Sequence, residues 1–399
     1  MMADDGLPRD SVSRRLMQER RQAEARRRRR RRVVGLAAAL VLIAAAGLGS
    51  WYVGRGWDPS PGAAEQAGNG AVTSLPAPPP TTAPAPTTPP ASPLTVTTAA
   101  PPAPASTVAS AAPTTTTVTT PAARPVASFD IHQTMTHVRF FADDLGVRRG
   151  GTEAEWKASR YAADLLGSLG YETKVVEVPI PNGLTSHNVI ATRPGASPLT
   201  VLIGAHIDSK KPSPGGNDNA SGAAAVLELA RAVAAADLVP TVVFVLFGNE
   251  EMIDSDPDHH HYGSRAYVAD MTPAQRADLV AMISLDMIGY GDVFTVRTMG
   301  KGPESLSDAL LTYGERAGVE LVYLRDPSSF GYSDHEPFEL AGYPAVWLEW
   351  REDPLYHTSG DTASHVDPAR IETAGTLVLG FLAKLTEGDL RELSASRDR

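Results

Sequence analysis

The chain has 399 residues, no cysteine and a formal net charge of −10. That excludes disulfide frameworks, thiol nucleophiles and Cys-ligated metals, and leaves His, Asp and Glu as the metal ligands on offer. The charge is uneven: residues 1–32 hold twelve arginines against five acidic residues, and the remaining chain carries −17, which excludes nucleic-acid binding for want of a basic footprint.

Residues 26–32 are seven consecutive arginines, and residues 33–53 then run for 21 positions without a charge. About twenty helical residues cover the hydrocarbon core of a bilayer, so 33–53 is predicted to span one as a signal anchor. The positive-inside rule leaves the 1–32 tail in the cytoplasm and everything after Val53 outside, with Trp51 and Tyr52 at the interface. The expected location is the cell membrane, single-pass, with the folded part extracytoplasmic. The other reading of the same residues is a cleaved signal peptide with its apolar stretch at 33–46, followed by secretion. Residues 66–123 contain 14 prolines and no charge. Such a sequence cannot bury an apolar face, so 54–125 is expected to be an extended, disordered linker.

Residues 126–387 read as one α/β domain, followed by a tail at 388–399. Apolar residues at spacings of three and four predict helices at 131–145 and 152–169. Strands follow at 172–178, 188–192 and 199–205, then a helix at 221–236 and strands at 241–247 and 280–286. A helix at 303–317, a strand at 345–349 and a helix at 368–385 close the domain. Several strands are continuous apolar runs, TVVFVLF at 241–247 above all, which is the pattern of a strand covered on both faces. The expected fold is therefore α/β: a mixed, largely parallel sheet flanked by helices on both faces. In such sheets ligands collect beyond the carboxyl ends of the strands.

The polar residues with chemistry in them sit at those ends. His206-Ile207-Asp208 follows one strand, Asn249-Glu250-Glu251 the next, and Asp286 a third. Two further segments are loops by composition, GGNDNASG at 215–222 and YHTSGDT at 356–362. Singly, each has a structural explanation, since a carboxylate after a strand is often a helix cap and Asp218 could cap the helix that follows. Five such coincidences on one sheet edge are not explained by capping. Two His with several carboxylates form an O/N donor set suited to zinc and related divalent ions.

Taken in order, the Arg149-Gly150-Gly151 turn, GAHIDS, GGNDNASG, NEE, SLDMIG, SDHEPF and YHTSGDT resemble peptidase family M28, the aminopeptidases with two co-catalytic zinc ions. The resemblance covers nearly all of 126–387. It implies metal ligands His206, Asp218, Glu251, Asp286 and His357, with Asp218 bridging two Zn2+. His206 and Asp286 would complete one site, and Glu251 and His357 the other. It further implies Glu250 as general base, Asp208 as the carboxylate that orients His206, and Tyr356 as a hydroxyl that steadies the tetrahedral intermediate. Peptides are the implied substrates, and the Asp218–Asn219 bond is implied to be cis. Physics is compatible with these roles: paired cations lower the pKa of a shared water, and a nearby carboxylate that does not ligate can take its proton.

The sequence departs from the family between Glu251 and Gly263-Ser264, where residues 254–261 (DSDPDHHH) lengthen the usual connection. A solvated polar loop at the rim is the preferred reading over an auxiliary metal site. Ser333-Asp334-His335 reads as a supporting turn. A deacylase or carboxypeptidase of the M20 type uses a similar ligand set but carries a lid domain before its last His, and only 70 residues separate Asp286 from His357. An inert cell-surface binding scaffold of peptidase descent would have lost ligands, and none is lost. A glutaminyl-cyclase relative shares the ligands, and the full two-metal set favours hydrolysis over it.

Overall fold

In the computed structural model the described residues are 123–397, except 182, 255, 257 and 327–330. The expected 1–32 tail, the 33–53 span and residues 54–122 of the linker lie outside them. Among the described residues no helix is long and apolar enough to cross a membrane.

Eight described strands form one sheet: β1 (Thr173–Pro179), β2 (Thr185–Arg193), β3 (Thr200–His206), β4 (Thr241–Phe247), β5 (Leu279–Leu285), β6 (Val293–Thr298), β7 (Val322–Arg325) and β8 (Ala345–Arg351). Their order is β1-β2-β4-β3-β5-β8-β6-β7. The central β4, β3, β5 and β8 run parallel, while β1–β2, β2–β4 and β6–β8 pair antiparallel. The sheet is thus mixed and mostly parallel, as the apolar runs predict. The α-helices are α1 (Ile131–Arg139), α2 (Glu153–Ser168), α3 (Gly222–Val233), α4 (Tyr262–Asp270), α5 (Pro273–Asp278), α6 (Ser305–Ala317), α7 (Glu336–Leu340), α8 (Pro368–Lys384) and α9 (Glu387–Ser396).

Strand side chains alternate between faces, and here both faces are buried. Val242, Phe244 and Leu246 of β4 join a core that includes α1, α2, α3, α6, α8 and α9, whereas Val243, Val245 and Phe247 join a smaller one with Phe338 of α7 and, partly buried, Tyr267 of α4. Each fully buried aliphatic side chain contributes about 1.5–3 kcal/mol by leaving water. Helix starts are fixed by oxygen acceptors: Asp130 caps α1, Thr152 caps α2, and Asp367 caps α8 ahead of Pro368.

Three differences from the sequence-based reading have local causes. The helix expected at 131–145 is α-helical only to Arg139 and widens into a π-turn at Phe140–Leu145. The strands β6 and β7 carry no strong pattern, because β7 has four residues and β6 buries the polar Thr295 and Arg297 on the face opposite Phe294 and Val296. That arginine is buried and pairs with Glu349 at 2.6 Å and Asp326 at 2.8 Å. Beyond residue 387, α9 buries Leu390 and Leu393 in the main core, so packed structure continues into the segment expected to be a tail.

Glu155 of α2 is fully buried, accepts from Gly151 N–H at 2.6 Å and from the Ser186 hydroxyl of β2. Burial first, then the charge of Asp208, push its pKa up to about 8. A raised carboxyl pKa means that the native state keeps a proton the unfolded chain gives up, so its stability contribution fades as pH rises from about 4.5 to about 8. Glu155→Gln removes that dependence, and its stability relative to wild type should climb between pH 5 and pH 8 by an amount on the order of a few kcal/mol. Thermal melts of both proteins across that range check this; an unchanged difference would refute the assignment.

Candidate metal centre

Every site residue singled out in the sequence lies at the carboxyl edge of the parallel strands or in the loops above it. His206 ends β3, Glu250 and Glu251 follow β4, Asp286 follows β5, and His357 lies in the loop after β8. The backbone there is unusual: among the described non-glycine residues, positive φ occurs only at Asn249, His261, Met287 and His357. Each of the four is a site residue or adjoins one. Sparsely populated backbone conformations cluster at functional sites because the surroundings over-determine them.

Two groups form around one shared carboxylate. Asp218 Oδ1 lies 3.2 Å from His206 Nε2, and Asp218 Oδ2 lies 3.2 Å from His357 Nε2. On the first side Asp286 Oδ1 is 3.4 Å from His206 Nε2, and on the second Glu251 Oε1 is 3.1 Å from His357 Nε2. The Asp218–Asn219 peptide bond is cis. Ligands of a tetrahedral zinc at 2.0–2.1 Å stand about 3.3 Å from one another, which is the spacing found. His206 Nε2, Asp286 Oδ1, Glu251 Oε1 and His357 Nε2 are buried and have no hydrogen-bond partner. Orphaned donors and acceptors of this kind, converging at metal-ligand spacing, fit a pair of divalent cations.

The electrostatics point the same way. Asp208, Asp218, Glu250, Glu251 and Asp286 are all buried together. Burial and then Asp218 push Glu251 up to about 8. Burial also raises Asp286, against the pull of His206. Burial acts on Asp218 too, but the imidazoles of His206 and His357 beside it outweigh burial and hold that carboxyl low. Buried carboxylates at this density need positive charge beside them.

Asp208 sits behind the site. Its Oδ1 is 3.4 Å from His206 Nδ1, and its carboxylate accepts the backbone N–H of Glu250 at 3.0 Å and of Glu251 at 3.3 Å. One side chain therefore fixes the His206 ring and the direction of both glutamates. Asp361, in the YHTSGDT segment, accepts the N–H of Asn217 at 2.6 Å and of Asp218 at 3.2 Å. Asn219 donates to Leu285 O at 2.9 Å and ties the same loop to β5. Tyr356 is 50% exposed and stacks on His357 with ring centroids 3.7 Å apart. Desolvation of its hydroxyl, then the carboxylates of Asp218 and Glu251, push its ionisation up, so it remains a hydroxyl donor.

Two contributors escaped the sequence reading. Arg148 is fully buried, and its guanidinium donates to the carbonyls of Phe141, Gly146, Ile207, Pro214 and Gly215, which pins the Ile207–Asp208 and glycine-rich loops together. Its neighbour in the Arg-Gly-Gly turn drew attention instead. His261 is 2% exposed and bonds Glu250 Oε1 at 2.8 Å, so the 254–261 insertion is only half a solvated loop. Asp254, Asp256 and Asp258 are exposed, whereas His260 and His261 turn inward. Asp334 and His335, which the sequence reads as part of a supporting turn, are fully buried, and burial followed by Glu250 pushes Asp334 up to about 7.

Asp208→Asn keeps the size of the side chain but weakens two N–H contacts and the hold on His206. Partners of metal-bound histidines are typically worth 10–100-fold in affinity. A competitive chelator titration should show zinc held about 10–100-fold less tightly by the variant, and equal affinity would remove Asp208 from this role.

Comparisons with known proteins give the arrangement its context. The description of peptidase family M28 matches residues 188–382. The chain is 32% identical over 284 residues to leupeptin-inactivating enzyme 1 of Streptomyces exfoliatus, an alignment covering 63% of this chain and 60% of that one. It is 28% identical over 271 residues to a probable leucine aminopeptidase of Arthroderma otae, covering 63% and 70%. Among solved structures, BSAP, a zinc aminopeptidase from Bacillus subtilis, shares the fold with a TM-score of 0.58 at 19% identity, covering 63% of this chain and 94% of that chain.

Proposed function

Residues 188–382 belong to peptidase family M28, and on that premise we propose that the chain is a two-zinc aminopeptidase that removes N-terminal residues from peptides. The observation that carries the reading is the Asp218 carboxylate, which turns one oxygen to His206 and the other to His357. In this reading His206 and Asp286 would hold one Zn2+ and Glu251 and His357 the other, with the Asp218 carboxylate available to both. Bound there, the ions supply Lewis-acid polarisation of the scissile carbonyl and lower the pKa of a water. Glu250 keeps Oε2 turned toward His206, at 3.9 Å from Nε2, where it can accept the water's proton and hand it to the leaving amine. Tyr356 offers its hydroxyl to the oxygen on which negative charge develops. Asp208 holds His206 in the tautomer that presents Nε2 as a ligand.

The segment between Asp286 and His357 folds into β6, α6, β7, α7 and β8. Among the described residues of that segment nothing forms a lid domain, which supports an exopeptidase of the M28 type over an M20-like deacylase. Aminoacyl, N-acyl and N-terminal glutaminyl substrates offered to the purified protein, with and without chelator, separate these activities from an inert scaffold. Chelator-sensitive release from the aminoacyl substrates alone is expected.

The two adjacent glutamates should fail differently. Glu250→Gln loses the proton acceptor but keeps both ions, and kcat should fall about 10²–10⁴-fold with little change in KM. Glu251→Gln and His357→Ala should each lose one metal equivalent and recover part of their activity in added zinc. Metal content measured beside kcat and KM decides it; metal loss in Glu250→Gln with full occupancy in Glu251→Gln would reverse the assignment.

We also propose that residues 33–53 anchor the chain in the cell membrane with this domain outside, on the strength of the arginine run before them and the uncharged, proline-rich stretch after them. Protease added to intact cells should then clip the linker and free an active soluble fragment. A secreted product whose N-terminus begins shortly after residue 46 would instead establish signal cleavage.

A further inference from the structure

Glu250 stands within ligand spacing of His206 and Asp286, so its carboxylate would fill a coordination position unless something drew it back. His261 does so at two points. Its ring Nε2–H donates to Glu250 Oε1 at 2.8 Å, and its backbone N–H donates to the Glu250 carbonyl at 2.8 Å. Beside it, Tyr262 N–H donates to Asn249 O at 3.0 Å, which closes the base of the 254–261 insertion against the end of β4. The far side of the ring meets a carboxylate without a hydrogen bond. His261 Nδ1 faces Glu336 Oε2 at 3.7 Å, and Glu336 is held by Gly331 N–H at 2.6 Å and by Arg265 at 3.1 Å.

His260, His261 and Glu336 also have the spacing of a third metal site. A cation of the chain's own already occupies it: Arg265 Nη2 lies 3.0 Å from His260 Nε2 and 3.1 Å from Glu336 Oε1. Arg265 thus joins His260 to Glu336, whose carboxylate lies against Nδ1 of the His261 ring.

We propose that His261 is a positioning residue for Glu250: its ring N–H ties Oε1 back, aims Oε2 at the position of the reacting water, and keeps the carboxylate out of the coordination shell at His206 and Asp286. The identity of the reaction rests on the aminopeptidase reading above, whereas the tether needs only a bound ion. The insertion that lengthens this connection thereby supplies part of the catalytic geometry.

The test uses the whole chain, loaded with zinc for kinetics and with Co2+ for visible absorption. His261 has a φ of 55°, which Asn and Gly tolerate well, so His261→Asn and His261→Gly preserve the backbone while falling short of Oε1. His261→Gln places an amide N–H near the lost Nε2. The Asn and Gly variants should lose about tenfold or more in kcat with KM within about twofold, at unchanged metal content, and the Gln variant should recover most of that loss. The Co2+ spectrum of the Asn variant should change in intensity as the freed carboxylate enters the shell, and the change should vanish in the His261→Asn/Glu250→Gln double variant. Wild-type kcat and spectrum in both the Asn and Gly variants would overturn the proposal. So would metal loss in step with kcat, or a Gln variant no better than Asn. If no form hydrolyses aminoacyl substrates while the cobalt change and its reversal are seen, the aminopeptidase reading fails and the tether stands.

Discussion

Buried carboxylates repel one another and resist burial, and this domain collects five of them in one cluster. In a low-dielectric interior a lone ionised carboxylate costs several kcal/mol. The arrangement persists only if positive charge lies among them. The two imidazoles of His206 and His357 partly meet that need, and both are held well above their ordinary pKa by the acids around them. Yet their Nε2 atoms lack hydrogen-bond partners and face oxygens at metal-ligand spacing. Much of the surrounding architecture can be understood as a means of holding these mutually repelling groups still.

The means are directional. Arg148 carries its charge into a fully buried position and directs its guanidinium hydrogen bonds at backbone carbonyls. Burial pulls its pKa down to about 10, which leaves it protonated at neutral pH. It thus fixes two loops and adds a positive field felt by Asp208, Asp361 and Asp218. Asp361 and Asn219 then fix the backbone on either side of Asp218 from opposite directions, one from the His357 loop and one from β5. No single loop could set the direction of a bridging carboxylate to the required few tenths of an ångström; three separate elements contribute.

The part of this legible in the sequence is the part written in local pattern. The apolar run 241–247 matches β4 residue for residue, because a strand buried on both faces needs no polar alternation. Abrupt polar residues mark the ends of β3, β4 and β5, and the structure brings their carboxylates and His206 together. What stayed hidden depends on contacts far apart in sequence. Nothing local distinguishes Arg148 from its exposed neighbours, since its partners lie up to 67 residues away. His261 looked like one more residue of a polar insertion, and only the fold turns it inward onto Glu250. The helix α9 is weakly amphipathic and rich in charge, yet two leucines suffice to dock it.

Register is what turns these local signals into a site. In β3 and β4 the pairing runs without interruption from Thr200↔Thr241 to His206↔Phe247. The last pair sets His206 at the sheet edge, with Glu250 three residues beyond its partner. Strand side chains alternate with a period of two, so a slip of one residue would turn β4's faces over and swap Val242, Phe244 and Leu246 with the residues of the opposite core. The two cores differ in size and shape, and that mismatch makes the slip costly. The same packing therefore specifies the distance between His206 and the glutamates. Asn249 then takes a positive φ of 47° to turn the chain sharply after β4, and Asp208 receives the next two N–H groups. A hydrophobic register and one left-handed residue thus convert a buried strand into a pair of aimed carboxylates.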